Sequence, residues 1–396
     1  MKNIICFNLF IFFISLKVMG SDFMPAYKNL NGKIEVKEMK EVKTDKKYTN
    51  ISLRTFIPDI LMIQKEKIES LANCLDFYIY PDIIRWLKKH NPNIKYPKLT
   101  LIFDNLTGTN KAFVIRKYKE EYNLNAITLD INSINNELFL LTLIHEVQHV
   151  LNNYYRGNNQ YEEDWINEGL SELFVYHFTS TLPLKELEKF RNSSYTKSLL
   201  DFDGSQKSYT TSFLFMAWMY FHFGKDEFLF KMITSSDQGI QNIEKKARAY
   251  GENTFTFNEN LYSFKSLYLN FSMALFFNSS RIGKEYFFSI TSNDITDGVL
   301  SKIKVAPKLL YINKLMNNQL NLKVSPYQSY YYKLFPIKHC YDVHKQDGLS
   351  LYKVRMSHRT VTIDQVDEQL CVEDEVDTYL IVSNLNTKIK DCTILP

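Results

Sequence analysis

The chain has 396 residues, 45% hydrophobic and 23% charged, with only 12 Gly and 10 Pro. That balance excludes collagen-like and Pro/Gly-rich disordered chains and supplies apolar mass for sizeable cores in two or three domains. Forty-eight Lys plus Arg against 44 Asp plus Glu leave a net charge of +4. This is far short of the basic footprint of a phosphate-tracking protein, so nucleic acid is not an expected partner.

Lys2, the apolar run Ile4 to Ser15 and the small-residue ending at Gly20 read as a secretory signal peptide over residues 1–20. The run is too short to favour a spanning helix, and no later stretch is longer and as apolar. The expected location is therefore secreted, periplasmic or cell-surface, with cleavage or retention of the signal as an anchor left open. Loss of Lys2 and Lys17 with the signal lowers the net charge to +2. Cys74, Cys340, Cys371 and Cys392 would then sit in an oxidising compartment. Three of the four fall near the C-terminus, which predicts one disulfide there and leaves Cys74 unassigned.

Residues 21–48 read as a polar linker or arm. Leu61 to Lys89 carry apolar residues at helical spacing, with Pro81 marking a break, so two helices or one kinked helix are expected. Lys98 to Phe103 and Asn125 to Ile131 have strand character. From Glu137 to about Tyr155 the positions Leu140, Leu141, Ile144, Val147 and Leu151 step at three and four residues, and Gly157 follows: an amphipathic helix with a stop. Further helices are expected over Ile166 to Thr179, Thr210 to Phe223, Glu227 to Ile233 and Leu261 to Phe277. Near the C-terminus, Ser329 to Phe335, Leu351 to Ile363 and Thr378 to Val382 alternate with period two, around turns such as Gln346-Asp347-Gly348. These read as a small β-sandwich-like module. The expected fold class is α+β, divided as 49–157 (α/β, ending in the motif-bearing helix), 158–318 (helical) and 319–396 (β module).

His145-Glu146-Val147-Gln148-His149 lies inside the Glu137 to Tyr155 helix. Histidines at i and i+4 leave the same helix face about one turn apart, so both imidazoles can reach one ion while Glu146 stands beside it. A catalytic zinc needs a third protein ligand and an open position for water. Trp165-Ile166-Asn167-Glu168-Gly169-Leu170-Ser171-Glu172 follows, placing Glu168 after 18 residues beyond His149. That leaves room for a loop and an antiparallel helix presenting Glu168. Glu172, one turn further on, can accept a proton from an imidazole of the pair and fix its tautomer.

H-E-x-x-H followed by W-x-x-E-G-x-S-E resembles the gluzincin zinc metallopeptidases, the thermolysin-like group that includes the zinc aminopeptidases. The local wording is most similar to the hyicolysin-type secreted neutral metallopeptidases. The specific motifs span about 30 residues. The resemblance implies a mixed α/β upper half, a helical lower half and one Zn2+ held by His145, His149 and Glu168. It also implies Glu146 as general base toward a zinc-activated water, and protein or peptide substrates. Zinc aminopeptidases of the group use a Tyr opening a downstream helix as donor to the oxyanion. Tyr209 stands in a similar frame, with Ser212 where a Gly is usual, and His222 is the alternative. The aminopeptidase segment G-x-M-E-N is absent upstream, which favours an endopeptidase, and the strand Asn125 to Ile131 is expected to offer a sheet edge to an extended substrate. The other class of reading is a catalytically retired scaffold that binds a partner through the β module. The oligomeric state is open.

Overall fold

The computed structural model describes residues 27–28, 34–35, 40–42, 44, 46–55, 57, 60–106, 112–114, 118–120, 123–134, 139–157, 161–182, 184–193, 195–251, 262–277, 310–312, 320–334, 339–356, 361–372 and 377–395. Residues 1–20, read above as a signal peptide, lie outside them. The chain mixes helices and several sheets, an α+β architecture. It divides into two compact units. One holds residues up to 163 together with 170–181 and 229–239; the other holds 164–169, 182–228 and 240 onward.

In the first unit, β1 (Tyr27–Lys28) pairs with β2 (Ile34–Glu35). A separate five-stranded sheet is built from β3 (Lys40–Glu41), β4 (Ile51–Thr55), β5 (Leu99–Asp104), β6 (Ala112–Phe113) and β7 (Asn125–Asp130), in the order β3-β4-β5-β7-β6. The three central strands run parallel and the two edge strands antiparallel. Every residue of β5 is buried, as expected of a parallel strand covered on both faces. The expected open edge at Asn125 to Ile131 is covered at Thr128 and Leu129. Ala112 and Phe113 pair with Leu129 and Thr128, so β6 is the edge strand. Two residues are too short for a period-two pattern, which is why the sequence did not announce it.

The crossover from β4 to β5 is helical. Helix α1 (Ile60–Cys74) kinks at Gln64 and runs into a π-helical turn, Leu75–Ile79, which leads directly into α2 (Tyr80–His90). Pro81 lies in the first turn of α2, where a missing N–H costs least. The preceding amide, Tyr80 N–H, bonds five residues back to Leu75, so the wider turn absorbs the break that Pro81 predicts. Buried Asp76 accepts the backbone amides of Thr49 and Asn50 at 2.9 and 2.7 Å, anchoring the chain just before β4. Helix α3 (Phe139–Arg156) packs on β7 and β6. Helix α4 (Asp164–Thr179) follows it and belongs in part to each unit.

The second unit contains α5 (Leu184–Arg191), α6 (Gln206–His222), the first three residues of α7 (Asp226–Thr234), all but the first residue of α8 (Gly239–Gly251), and α9 (Phe264–Phe277). Helices α5 and α8 were not among the helices named from the sequence, though both fall in the region expected to be helical. The C-terminal strands are β8 (Leu310–Ile312), β9 (Leu320–Val324), β10 (Ser329–Leu334), β11 (His339–Lys345), β12 (Leu349–Met356), β13 (Val361–Val366), β14 (Gln369–Val372), β15 (Asp377–Asn384) and β16 (Lys390–Leu395). They form a five-stranded sheet, β13-β12-β15-β10-β8, and a four-stranded sheet, β14-β11-β16-β9. Val324, Tyr341, Leu370 and Ile394 from one sheet and Leu334, Leu351, Leu380 and Val382 from the other fill a single core. This is the sandwich that the alternation predicts. The run Leu351 to Ile363 is two strands rather than one, β12 and β13 closing a hairpin with Leu351 opposite Val366.

Sandwich and helices of this unit share a buried seam of hydroxyls. Thr196 Oγ1 lies 3.1 Å from the Tyr268 hydroxyl, Ser329 Oγ lies 2.9 Å from Ser272 and 2.8 Å from Ser383, and the Tyr331 hydroxyl donates to the Ser272 carbonyl. Burial pushes the Tyr268 phenol up to about 12, so it stays a neutral donor. Cys340 and Cys371, directly opposite on β11 and β14, form a disulfide, which is the C-terminal bond expected. Cys74 and Cys392 are unbonded.

Candidate metal centre

Helix α3 presents its motif on the buried side: His145, Glu146 and His149 are all at least nine-tenths buried. Apolar Leu143, Ile144, Val147, Val150 and Leu151 are buried as well, so this stretch of the helix is buried all round, with the apolar side chains on the faces away from the two histidines. The Nε2 atoms of His145 and His149 lie 3.1 Å apart. Glu168, on the second turn of α4, joins them: one donor atom from each of the three lies within 4.8 Å of the others, and all three residues are buried. Among the described residues this is the one such group of three.

The donors fit a metal ion. Two imidazole nitrogens bound to one tetrahedral zinc at about 2.0–2.1 Å stand roughly 3.3 Å apart, close to the separation seen. Burying two histidines and a carboxylate with their lone pairs converging is costly without a cation between them. The imidazole of His145 is turned by Glu172, whose Oε1 lies 3.1 Å from Nδ1 with both side chains buried. A proton on Nδ1 donated to Glu172 makes Nε2, 3.1 Å from Nε2 of His149, the unprotonated nitrogen.

Ser171 was not singled out by the sequence reading. Its Oγ hydrogen-bonds Oε1 of Gln148 and lies 3.2 Å from Nδ1 of His149. Ser171 and Glu172 follow Glu168 by three and four residues, so α4 brings Glu168 and two groups that contact the imidazoles along one face. That spacing was the available signal.

The glycine after Glu168 has a steric reason. A Cβ at Gly169 would stand 2.8 Å from the Ser212 carbonyl oxygen and 2.9 Å from Cγ of Met216. Gly169 therefore lets α4 approach α6 closely at the turn that carries Glu168. Trp165 of the same helix is buried against Phe215 and Phe264. Tyr209 lies in the first turn of α6, buried against Phe202, where Ser205 caps the helix by accepting from the Ser208 amide. Ser212, which meets Gly169, is one turn from Tyr209. His222 ends the same helix against Trp218, about 20 Å along the axis from Tyr209. Gly169 thus meets α6 near its middle, between Tyr209 and His222.

The α3–α4 connection is held from both ends. Arg156, the last residue of α3, is buried; its guanidinium donates to Oε2 of Glu162, to Oδ1 of Asn152 and to the carbonyls of Asp237 and Met232. Glu162 also accepts the amides of Gly239 at 2.7 Å and Glu163 at 3.1 Å. Gly157 closes α3 in the left-handed conformation, at φ 78°, the stop that its position predicts.

No model of a known protein family matches this chain, and no curated protein matches it significantly.

Proposed function

We propose that the chain is an exported zinc metallopeptidase of gluzincin type that cleaves internal peptide bonds. The observation that carries the proposal is the buried convergence of His145, His149 and Glu168, with Glu146 buried next to the first ligand. A zinc ion in this group would polarise a scissile carbonyl and acidify an attacking water. Glu146 takes the proton of that water and delivers it to the leaving amine. Glu172 holds the imidazole of His145 in the tautomer that presents Nε2, and Tyr209 donates to the developing oxyanion. No covalent intermediate and no organic cofactor are needed.

An endopeptidase is favoured because the G-x-M-E-N segment with which the aminopeptidases hold a free amine is absent from the sequence. An extended substrate adding a strand would meet β6 rather than β7. Export is supported by the N-terminal pattern over residues 1–20 and by the Cys340–Cys371 disulfide. Among the described residues no helix is long and apolar enough to cross a membrane. The test is degradation of an unfolded protein by the zinc-loaded full chain. Wild type is expected to cleave it, a chelator to stop it, and Glu146→Gln to bind zinc without cleaving. Cleavage that persists in Glu146→Gln, or zinc-loaded wild type that leaves the substrate intact, would refute the reading.

A further inference from the structure

The i, i+4 spacing fixes His145 and His149 relative to each other, but nothing in that spacing fixes Glu168. Its place depends on the connection 157–163 between α3 and α4. That connection is bridged at its ends by a buried ion pair: Nη2 of Arg156 and Oε2 of Glu162 are 2.5 Å apart, with side-chain exposures of 1% and 0%. The same two side chains reach the segment between α7 and α8, through the carbonyls of Met232 and Asp237 and the amide of Gly239. The clasp thus joins the end of the histidine helix, the start of the Glu168 helix and a third backbone segment.

A buried ion pair is a poor choice for stability alone, since an apolar pair of similar volume is often as good or better. What it adds is direction: a planar guanidinium with several donors fits one arrangement of acceptors. Burial pushes the Glu162 carboxyl up and opposes the charge of Arg156, while each partner restores the other's ionised form. The two are therefore interdependent.

We infer that Arg156 and Glu162 are a positioning pair for the metal centre, setting the distance of Glu168 from the two histidines. The inference rests on the reading of His145, His149 and Glu168 as a metal site. Its test compares wild type, Glu162→Gln, Arg156→Met and the double variant as full-length chains. Zinc affinity is measured by competition with a chelator, the absorption spectrum is recorded with Co2+, and thermal unfolding is followed without metal. Each single variant is expected to bind zinc about tenfold or more weakly, the range seen when groups that orient metal ligands are removed, and to give an altered cobalt spectrum. The double variant is expected to regain thermal stability but not affinity. Variants that stay folded with unchanged affinity and an unchanged cobalt spectrum would overturn the inference. So would failure of all three to fold, because the pair would then be a requirement of the fold itself. Wild type that binds no zinc would instead sink the metal reading.

Discussion

Two regions of this molecule bury polar side chains, and they do it in opposite ways. At the seam between helices and sandwich, Thr196, Tyr268, Ser272, Ser329 and Ser383 bond to one another. The network closes on itself and offers nothing to a ligand. In the α3–α4 region Glu172 lies 3.1 Å from Nδ1 of His145, while the two Nε2 atoms stand 3.1 Å apart and donor atoms of His145, His149 and Glu168 lie within 4.8 Å of one another. Buried polarity that is mutually satisfied specifies a fold; buried polarity that converges specifies a site.

Mutations should separate the two regions. Replacing Glu168 with Ala removes one of three donors, so metal analysis of the purified variant should find essentially none; retention of stoichiometric zinc would show that Glu168 is not a ligand. Glu146→Gln should keep the metal and lower peptide hydrolysis by about 10²–10⁴-fold, measured as kcat/KM. Glu172→Gln should act through His145, weakening zinc affinity by roughly 10–100-fold with a smaller effect on the metal-free melting temperature. Ser329→Ala should do the reverse. It deprives the hydroxyls of Ser272 and Ser383 of a partner and costs about 1–3 kcal/mol in denaturant unfolding, with zinc affinity unmoved.

A smaller effect concerns pH. Burial, with the Asp130 charge nearby, raises the Asp104 carboxyl to about 6. Its folded value thus exceeds the unfolded one. The folded state binds the proton more tightly, and stability declines as pH rises from about 4 to about 6. Asp104→Asn should therefore stabilise the protein at pH 7–8, by an amount on the order of 2 kcal/mol, and the gain should vanish below pH 4. A gain that is independent of pH would assign the effect to something other than ionisation.

The site was legible where chemistry and periodicity coincide. His145, His149, Glu168 and Glu172 could be placed on facing helices because 3.6-residue spacing dictates which side chains share a face. The sandwich was legible in outline from alternation, though β12 and β13 merged into one run because only the four residues Ser357 to Thr360, without Gly or Pro, separate them. What stayed hidden depends on long-range pairing. The edge strand Ala112–Phe113 exists only through its bonds to β7. The Arg156–Glu162 clasp looks in sequence like two ordinary surface charges, and only the fold reveals that both are buried. Ser171 was written into the motif beside Glu172, but its contacts with Gln148 and His149 depend on the approach of α4 to α3.

The central claim is that His145, His149 and Glu168 hold one zinc ion. The most direct measurement is the zinc content of full-length protein purified from zinc-replete medium, wild type against His149→Ala, with folding of both verified. About one zinc per wild-type chain and almost none in the variant is the predicted result. Folded wild type without metal, or a variant that retains it, would contradict the account.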